Sequence, residues 1–145
     1  AAHFLNDSRY EFFYLGSTVQ DAVNITSLQA TVTLDNRDAV RTCIRDNEID
    51  VIVNWSLYPE TFGFTAYEAL AAGAFLIVPK GSGNVEDILK SWEQEIGHVA
   101  VDETELTNLF EKGGVMSLLE KSRRTTGTLV IRSCSFAYLV SEYAG

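Results

Sequence analysis

The chain has 145 residues, 46% hydrophobic and 21% charged, with a formal net charge of −9, a size that buries about two-thirds of the unfolded surface in one domain over residues 1–145 without a metal or disulfide staple. The acidic balance argues against a general nucleic-acid binder, which needs a concentrated basic surface to displace counterions, and no apolar run approaches the roughly 18 residues of a membrane span. Two cysteines, Cys43 and Cys134, form no metal-ligand pattern and fit a reduced, cytoplasmic setting.

The chain opens at Ala1 without an initiator methionine and its one methionine is Met116, so it reads as a piece of a longer protein. Short β-branched and aromatic runs alternate with amphipathic stretches, which predicts βα units and a mainly parallel sheet. Strands are expected at Glu11 to Leu15, stopping at Gly16, and at Ala30 to Leu34, stopping at Asp35-Asn36. Val51 to Val53 and Ala74 to Val78 are continuously apolar, as in strands covered by helices on both faces; His98 to Val101 is a weaker candidate.

Helices fit between these strands. Asn36 is a candidate N-cap for Asp38 to Asn47, where Ala39, Val40, Cys43 and Ile44 form an apolar stripe. Phe64 to Ala72 is expected to stop at Gly73 as C′, and Asn84 to cap Val85 to Trp92. Glu103 to Lys112 ends at Gly113-Gly114, and Val115 to Arg124 ends at Thr125-Thr126-Gly127. In the tail, the strand-like Leu129-Val130-Ile131 passes into Ser135 to Tyr143, whose apolar spacing suits a final helix. The cluster Lys121, Arg123 and Arg124 reads as a solvated helix face, and His3 and His98 as surface or structural histidines.

Ligands of open parallel sheets sit beyond the carboxyl ends of the strands. Three turns there carry small or polar residues: Gly16-Ser17-Thr18, Ser56 to Gly63, and Pro79 to Gly83. In the second, Glu60 and Glu68 are separated by seven residues and flank Gly63 at the start of a helix. A glycine turn that opens a helix offers backbone N–H groups and a positive dipole end, which favour a phosphate. Two carboxylates facing that phosphate would repel it, so they are better suited to hydroxyl groups elsewhere on the ligand. A nucleotide sugar carries both kinds of group.

The run from Asp50 to Gly73, with its strand, its loop and the two glutamates Glu60 and Glu68, resembles the signature of the group 1 glycosyltransferases. Phe12 to Gly16 is similar to the strand before that family's glycine turn, Gly81 to Glu86 to its later glycine loop, and the tail with Phe136 and Tyr143 to its last helix. The resemblance implies a Rossmann-like, doubly wound α/β domain, the C-terminal half of a GT-B fold, truncated at its N-terminal side. It implies a retaining transfer from a nucleoside-diphosphate sugar, with no cofactor and no metal needed by this domain. Carried over by matching position, Glu60 is the catalytic-site acid against the donor sugar, Glu68 accepts from the ribose hydroxyls, and the N–H groups around Gly63, Phe64 and Thr65 hold the diphosphate. Thr61, where members often have glycine, and Gly16 complete the nucleotide-sugar set.

The family also carries an arginine and a lysine that neutralise the leaving diphosphate; no counterpart is found, and the chain is expected to begin after them. The implied partners are the nucleoside-diphosphate sugar and an N-terminal acceptor-binding domain of the parent chain, without which the piece is expected to be inactive. Taken singly, Glu60 is an ordinary loop acid, Glu68 a solvated helix position, Gly81-Ser82-Gly83 a turn and Lys80 a surface lysine, while Trp55, Tyr58 and Phe62 divide between stacking and core roles. A glycoside hydrolase uses carboxylates about 5 to 9.5 Å apart and has no role for a phosphate-type turn between them. A phosphoacceptor domain needs an acidic cluster where Gly16-Ser17-Thr18 stands. The alternative kept open is a non-catalytic Rossmann-like module for docking or assembly.

Overall fold

The computed structural model describes residues 3–16, 24–61, 63–92, 95–122, 127–133 and 136–141. Ser17, Thr18, Phe62, Arg123, Arg124, Cys134 and Tyr143, singled out above, lie outside them. After a 3₁₀ turn at His3–Asn6, strands β1 (Phe12–Leu15) and β2 (Ile25–Leu28) pair in parallel, in register from Phe12↔Ile25 to Leu15↔Leu28. Helix α1 (Ala39–Asp46), strand β3 (Val51–Val53), helix α2 (Phe64–Ala71), strand β4 (Phe75–Pro79), helix α3 (Asn84–Ser91) and strand β5 (Gly97–Ala100) follow. Helices α4 (Glu103–Glu111) and α5 (Gly114–Lys121) and an antiparallel hairpin of β6 (Gly127–Ser133) and β7 (Phe136–Ser141) complete the order.

The second parallel sheet has the order β3-β4-β5, so each strand-to-strand connection is a helical crossover. Side chains alternate across β4, and both faces are covered. Leu76 and Val78 enter one apolar cluster with Val40 and Ile44 of α1, Ala66, Ala69 and Leu70 of α2, and Val85 of α3. Phe75 and Ile77 enter a second with Phe110 of α4 and Val115 of α5, against which Phe12 of β1 and Val51 of β3 pack. The protein is therefore an α/β domain of short parallel sheets with helices on both sides, a topology compatible with a Rossmann-like fold. Gly97 is demanded by this packing, because a Cβ there would lie 2.5 Å from the Leu76 carbonyl oxygen.

Three expectations are corrected. The strand beside β1 is Ile25–Leu28, not Ala30 to Leu34, which forms no strand and runs into a turn in which Thr33 and Asn36 exchange main-chain bonds at 3.2 and 3.3 Å. Both segments suit a strand; the ladder goes to the one whose Ile25 and Leu28 are partly buried, and Val32 and Leu34 are left exposed. The tail forms β6 and β7 rather than a final helix, because a strand partner lies across a short connection and satisfies the backbone of a Leu-Val-Ile run better suited to a sheet. The N-caps shift as well. Asp38 stands at the N-cap position of α1 without a side-chain capping bond and pairs with Arg41 at 3.1 Å, while Gly83 precedes α3 and Asn84 is its first residue.

Helix ends follow local chemistry. Asp102 accepts the Glu105 N–H at 2.8 Å at the start of α4, and the Glu105 carboxylate returns to the Val101 N–H at 2.6 Å, with His98 at 2.8 Å on its other oxygen. The Val101 and His98 bonds hold that carboxyl below its ordinary pKa. Both α1 and α2 end in Schellman motifs. In α2 the left-handed residue is Gly73, at φ 85°, as expected; its N–H reaches Leu70 O and that of Ala74 reaches Ala69 O, both at 3.0 Å. In α1 the same position is occupied by Glu48 at φ 52°, with N–H bonds from Glu48 to Arg45 O and Ile49 to Ile44 O, both 3.0 Å.

A side chain in the left-handed region is strained, whereas glycine there loses mainly unfolded-state entropy. Glu48→Gly is expected to stabilise the fold by about 0.5 kcal/mol, the difference between those two effects. A lowered urea midpoint would contradict the motif assigned to α1.

Candidate functional site

The candidate site grows from the loops that leave the adjacent strands β3 and β4. Beyond β3, Ser56 Oγ donates to the Tyr58 carbonyl at 2.7 Å and tightens a bend that leaves Leu57 and Tyr58 81% and 78% exposed. The chain then returns to the next loop. Glu60 N–H donates to Ser82 O and Asn84 N–H to Glu60 O, both at 3.1 Å, forming a parallel bridge between Glu60 and Gly83. This contact requires glycine: Gly83 has φ 74°, and a Cβ there would meet the Glu60 carbonyl oxygen at 2.8 Å. The Gly81-Ser82-Gly83 segment is thus the seat of the Glu60 backbone rather than a bare turn.

Gly63 opens α2 in a left-handed conformation, φ 62°. A Cβ at this position would stand 2.3 Å from Val85 Cγ2, and Glu60 Oε2 lies 3.3 Å from the same point. Packing against α3 is therefore one sufficient reason for the glycine. The Gly63 carbonyl accepts the N–H groups of Ala66 at 3.0 Å and Tyr67 at 3.3 Å, which starts the helix. Phe64 and Thr65 are exposed on its first turn, Ala66 and Tyr67 are buried, and Thr61 is exposed just before it. Tyr67 Oη accepts from Asn84 Nδ2 at 3.2 Å, tying the first turns of α2 and α3 together.

The two candidate acids have different surroundings. Glu60 is half-buried against Gly63 and the α3 loop. Glu68, one helical turn after Phe64, is half-buried, and the charges that act on it are those of Asp38 and Arg41 at the start of α1. Burial raises its carboxyl above the ordinary range, Asp38 adds to the rise and Arg41 opposes it. Gly16 lies at the carboxyl end of β1, in the other parallel pair, where its N–H continues the ladder to Leu28 O at 3.2 Å. The structure brings Glu60, Gly63 and the first turn of α2 together with the glycine loop, while the charges that act on Glu68 are those of Asp38 and Arg41.

Residues not foreseen as parts of the site include Asn84, Val85 and Glu86. Glu86 is 7% exposed; its carboxylate accepts the Gly81 N–H at 2.5 Å and bonds Lys90, and these two contacts, Lys90 first, hold it below its ordinary pKa. The sequence signal for this loop was only the spacing of Gly81, Glu86 and Lys90, and the burial of Glu86 comes from the fold. Among the described residues no group of three or more His, Cys, Asp or Glu side chains is arranged to hold a metal ion, and no helix is long and apolar enough to cross a membrane.

Gly63→Ala is expected to cost about 2–4 kcal/mol, combining an overpacked contact with left-handed strain. Adding Val85→Ala should make the glycine substitution cheaper by a measurable part of that, since the clashing methyl is gone. A double-mutant cycle on urea unfolding with no coupling would rule out the packing role. For Glu68 the folded pKa is raised, so its contribution to stability is complete below the unfolded pKa and is lost as pH rises through the folded one. Glu68→Gln should abolish that fall and match or exceed the parent at neutral pH, as unfolding free energies between acid and neutral pH will show.

No protein-family model, curated protein or solved structure matches this chain.

Proposed function

We propose that this domain binds a nucleoside-diphosphate sugar and is the donor half of a retaining glycosyltransferase of GT-B architecture, acting in the cytoplasm with an acceptor-binding domain on the same parent chain. One observation carries the reading: Glu60, the left-handed Gly63 and the exposed first turn of α2 meet beyond the carboxyl ends of adjacent parallel strands. There the N–H groups of the bend and the positive end of α2 suit a diphosphate, and would stabilise the negative charge that collects on it as the sugar departs. Glu60 would accept from the sugar hydroxyls near the reacting carbon, and Glu68 from the ribose. Burial that raises Glu68 supports the second role, because a half-desolvated carboxylate gains more from a hydroxyl donor than a fully hydrated one.

A docking module is the second reading. It draws support from Leu57 and Tyr58, two large side chains exposed on the same bend, and from the Val85 contact, which explains Gly63 without a ligand.

Titrating the labelled chain with UDP, GDP and ADP separates the two. Donor binding predicts saturable shifts at the amides of Gly63 and Thr65, weakened about 10- to 100-fold by Glu68→Ala, the scale of a charged hydrogen bond. Glu60→Ala should leave diphosphate binding unchanged while removing transfer by the full-length parent. No shift with any of the three at millimolar concentration favours docking.

A further inference from the structure

A shallow, solvent-open depression of about 480 Å³ lies at the other end of the first parallel pair, beyond the amino ends of β1 and β2, where the ladder starts at Phe12↔Ile25. Its volume lies in the range of small-molecule pockets, roughly 300–1,000 Å³. Gly16, by contrast, closes the carboxyl end of β1. A ligand in this depression would not share the Glu60 site.

The lining specifies a chemistry. Half-buried Leu5, Phe12 and Ile25 supply an apolar wall. Asn6, Ser8, Glu11, Asn24 and Thr26 are exposed and supply hydroxyl, amide and carboxylate groups. Asn24 holds φ 70°, and its Nδ2 donates to Asn6 Oδ1 at 2.5 Å, so the two amides sit side by side. Beyond that bond the pair still carries an amide N–H₂ and an amide carbonyl.

Charge decides between ligand classes. Among the described residues no lysine or arginine lines the depression, which disfavours phosphates and other anions. Two acids do line it, Asp7 and Glu11, yet the Asp7 carboxylate is already forked to Arg9, whose Nη2 reaches Oδ2 at 2.6 Å and whose Nε reaches both oxygens at 3.0 Å. That pairing offsets the Asp7 charge and, among the described residues, leaves the one charge of Glu11, too little to select a polycation. The Tyr10 ring is also engaged, stacked by Arg9 at 5.4 Å, with its hydroxyl bonded to Phe110 O at 2.9 Å. A lining of apolar side chains together with hydroxyl and amide donors and acceptors, with little net charge, matches a ligand that has a C–H face and many hydroxyls.

We propose that this depression is a binding site for a neutral saccharide, independent of the nucleotide site and not resting on it. The test titrates the labelled 145-residue chain with the methyl glycosides of glucose, galactose, mannose and N-acetylglucosamine and with maltose, up to roughly 10 mM, where a millimolar site fills. Spermidine and inorganic phosphate serve as charged probes. At least one sugar should give saturable shifts at Asn6, Ser8, Asn24 and Thr26, leaving the Gly63 and Thr65 amides in place. Ser8→Ala and Thr26→Val, both at exposed positions, should each weaken it about two- to tenfold, with amide spectra otherwise unchanged to show that the fold is kept. Absence of shifts with every sugar overturns the proposal. So do saturable shifts with spermidine or phosphate alone, or sugar shifts that neither variant reduces.

Discussion

Burial of β4 on both faces is the constraint from which the rest of the architecture follows. Phe75, Leu76, Ile77 and Val78 are each 1% exposed or less, and a side chain of that kind gains about 1.5–3 kcal/mol on leaving water. A strand with no polar face must be central and covered by helices on each side. Parallel pairing to β3 and β5 then forces long crossovers, and helices are the compact way to make them. The loops after β3 and β4 therefore emerge side by side, and Glu60 meets Gly83 as a consequence of how the core is built.

That junction carries two demands at once. The backbone of Glu60 occupies the space a side chain at Gly83 would fill, and Val85 occupies the space a side chain at Gly63 would fill. Packing alone accounts for both glycines. The same geometry leaves the first turn of α2 exposed at the rim of the sheet, so a helix terminus suited to an anion arises without any residue being spent on it. Glu68 differs, because its partial burial raises its carboxyl above the ordinary range, with Asp38 adding to the rise and Arg41 opposing it. Glu86, by contrast, is held below its ordinary pKa by Lys90 and the Gly81 N–H.

The helices and the two apolar strands β3 and β4 were legible because their signals are local: an apolar stripe in α1, small residues running to Gly73 in α2, uninterrupted burial in β4. β2 was not. Ile25–Leu28 and Ala30 to Leu34 have similar propensities, and only the pairing with β1 distinguishes them. The tail failed for a related reason, since nine residues of mixed apolar spacing suit either period until a partner strand is supplied. Within the site, Glu60 and Gly63 could be read as neighbours from their spacing, whereas the approach of Val85 and the charges of Asp38 and Arg41 acting on Glu68 could not, since they come from distant segments.

The amino-acid order by itself determined which segments are apolar on one face or two, where helices stop, and which residues of one loop come near one another. Those properties depend on neighbours a few positions away. The tertiary structure alone decided which candidate strand joins β1, that the glycine loop receives the Glu60 backbone, that the charges of Asp38 and Arg41 act on Glu68, and that a polar depression lies at the amino ends of β1 and β2. Each of these depends on competition for space and hydrogen bonds between parts of the chain far apart in sequence, and propensity does not encode the outcome of that competition.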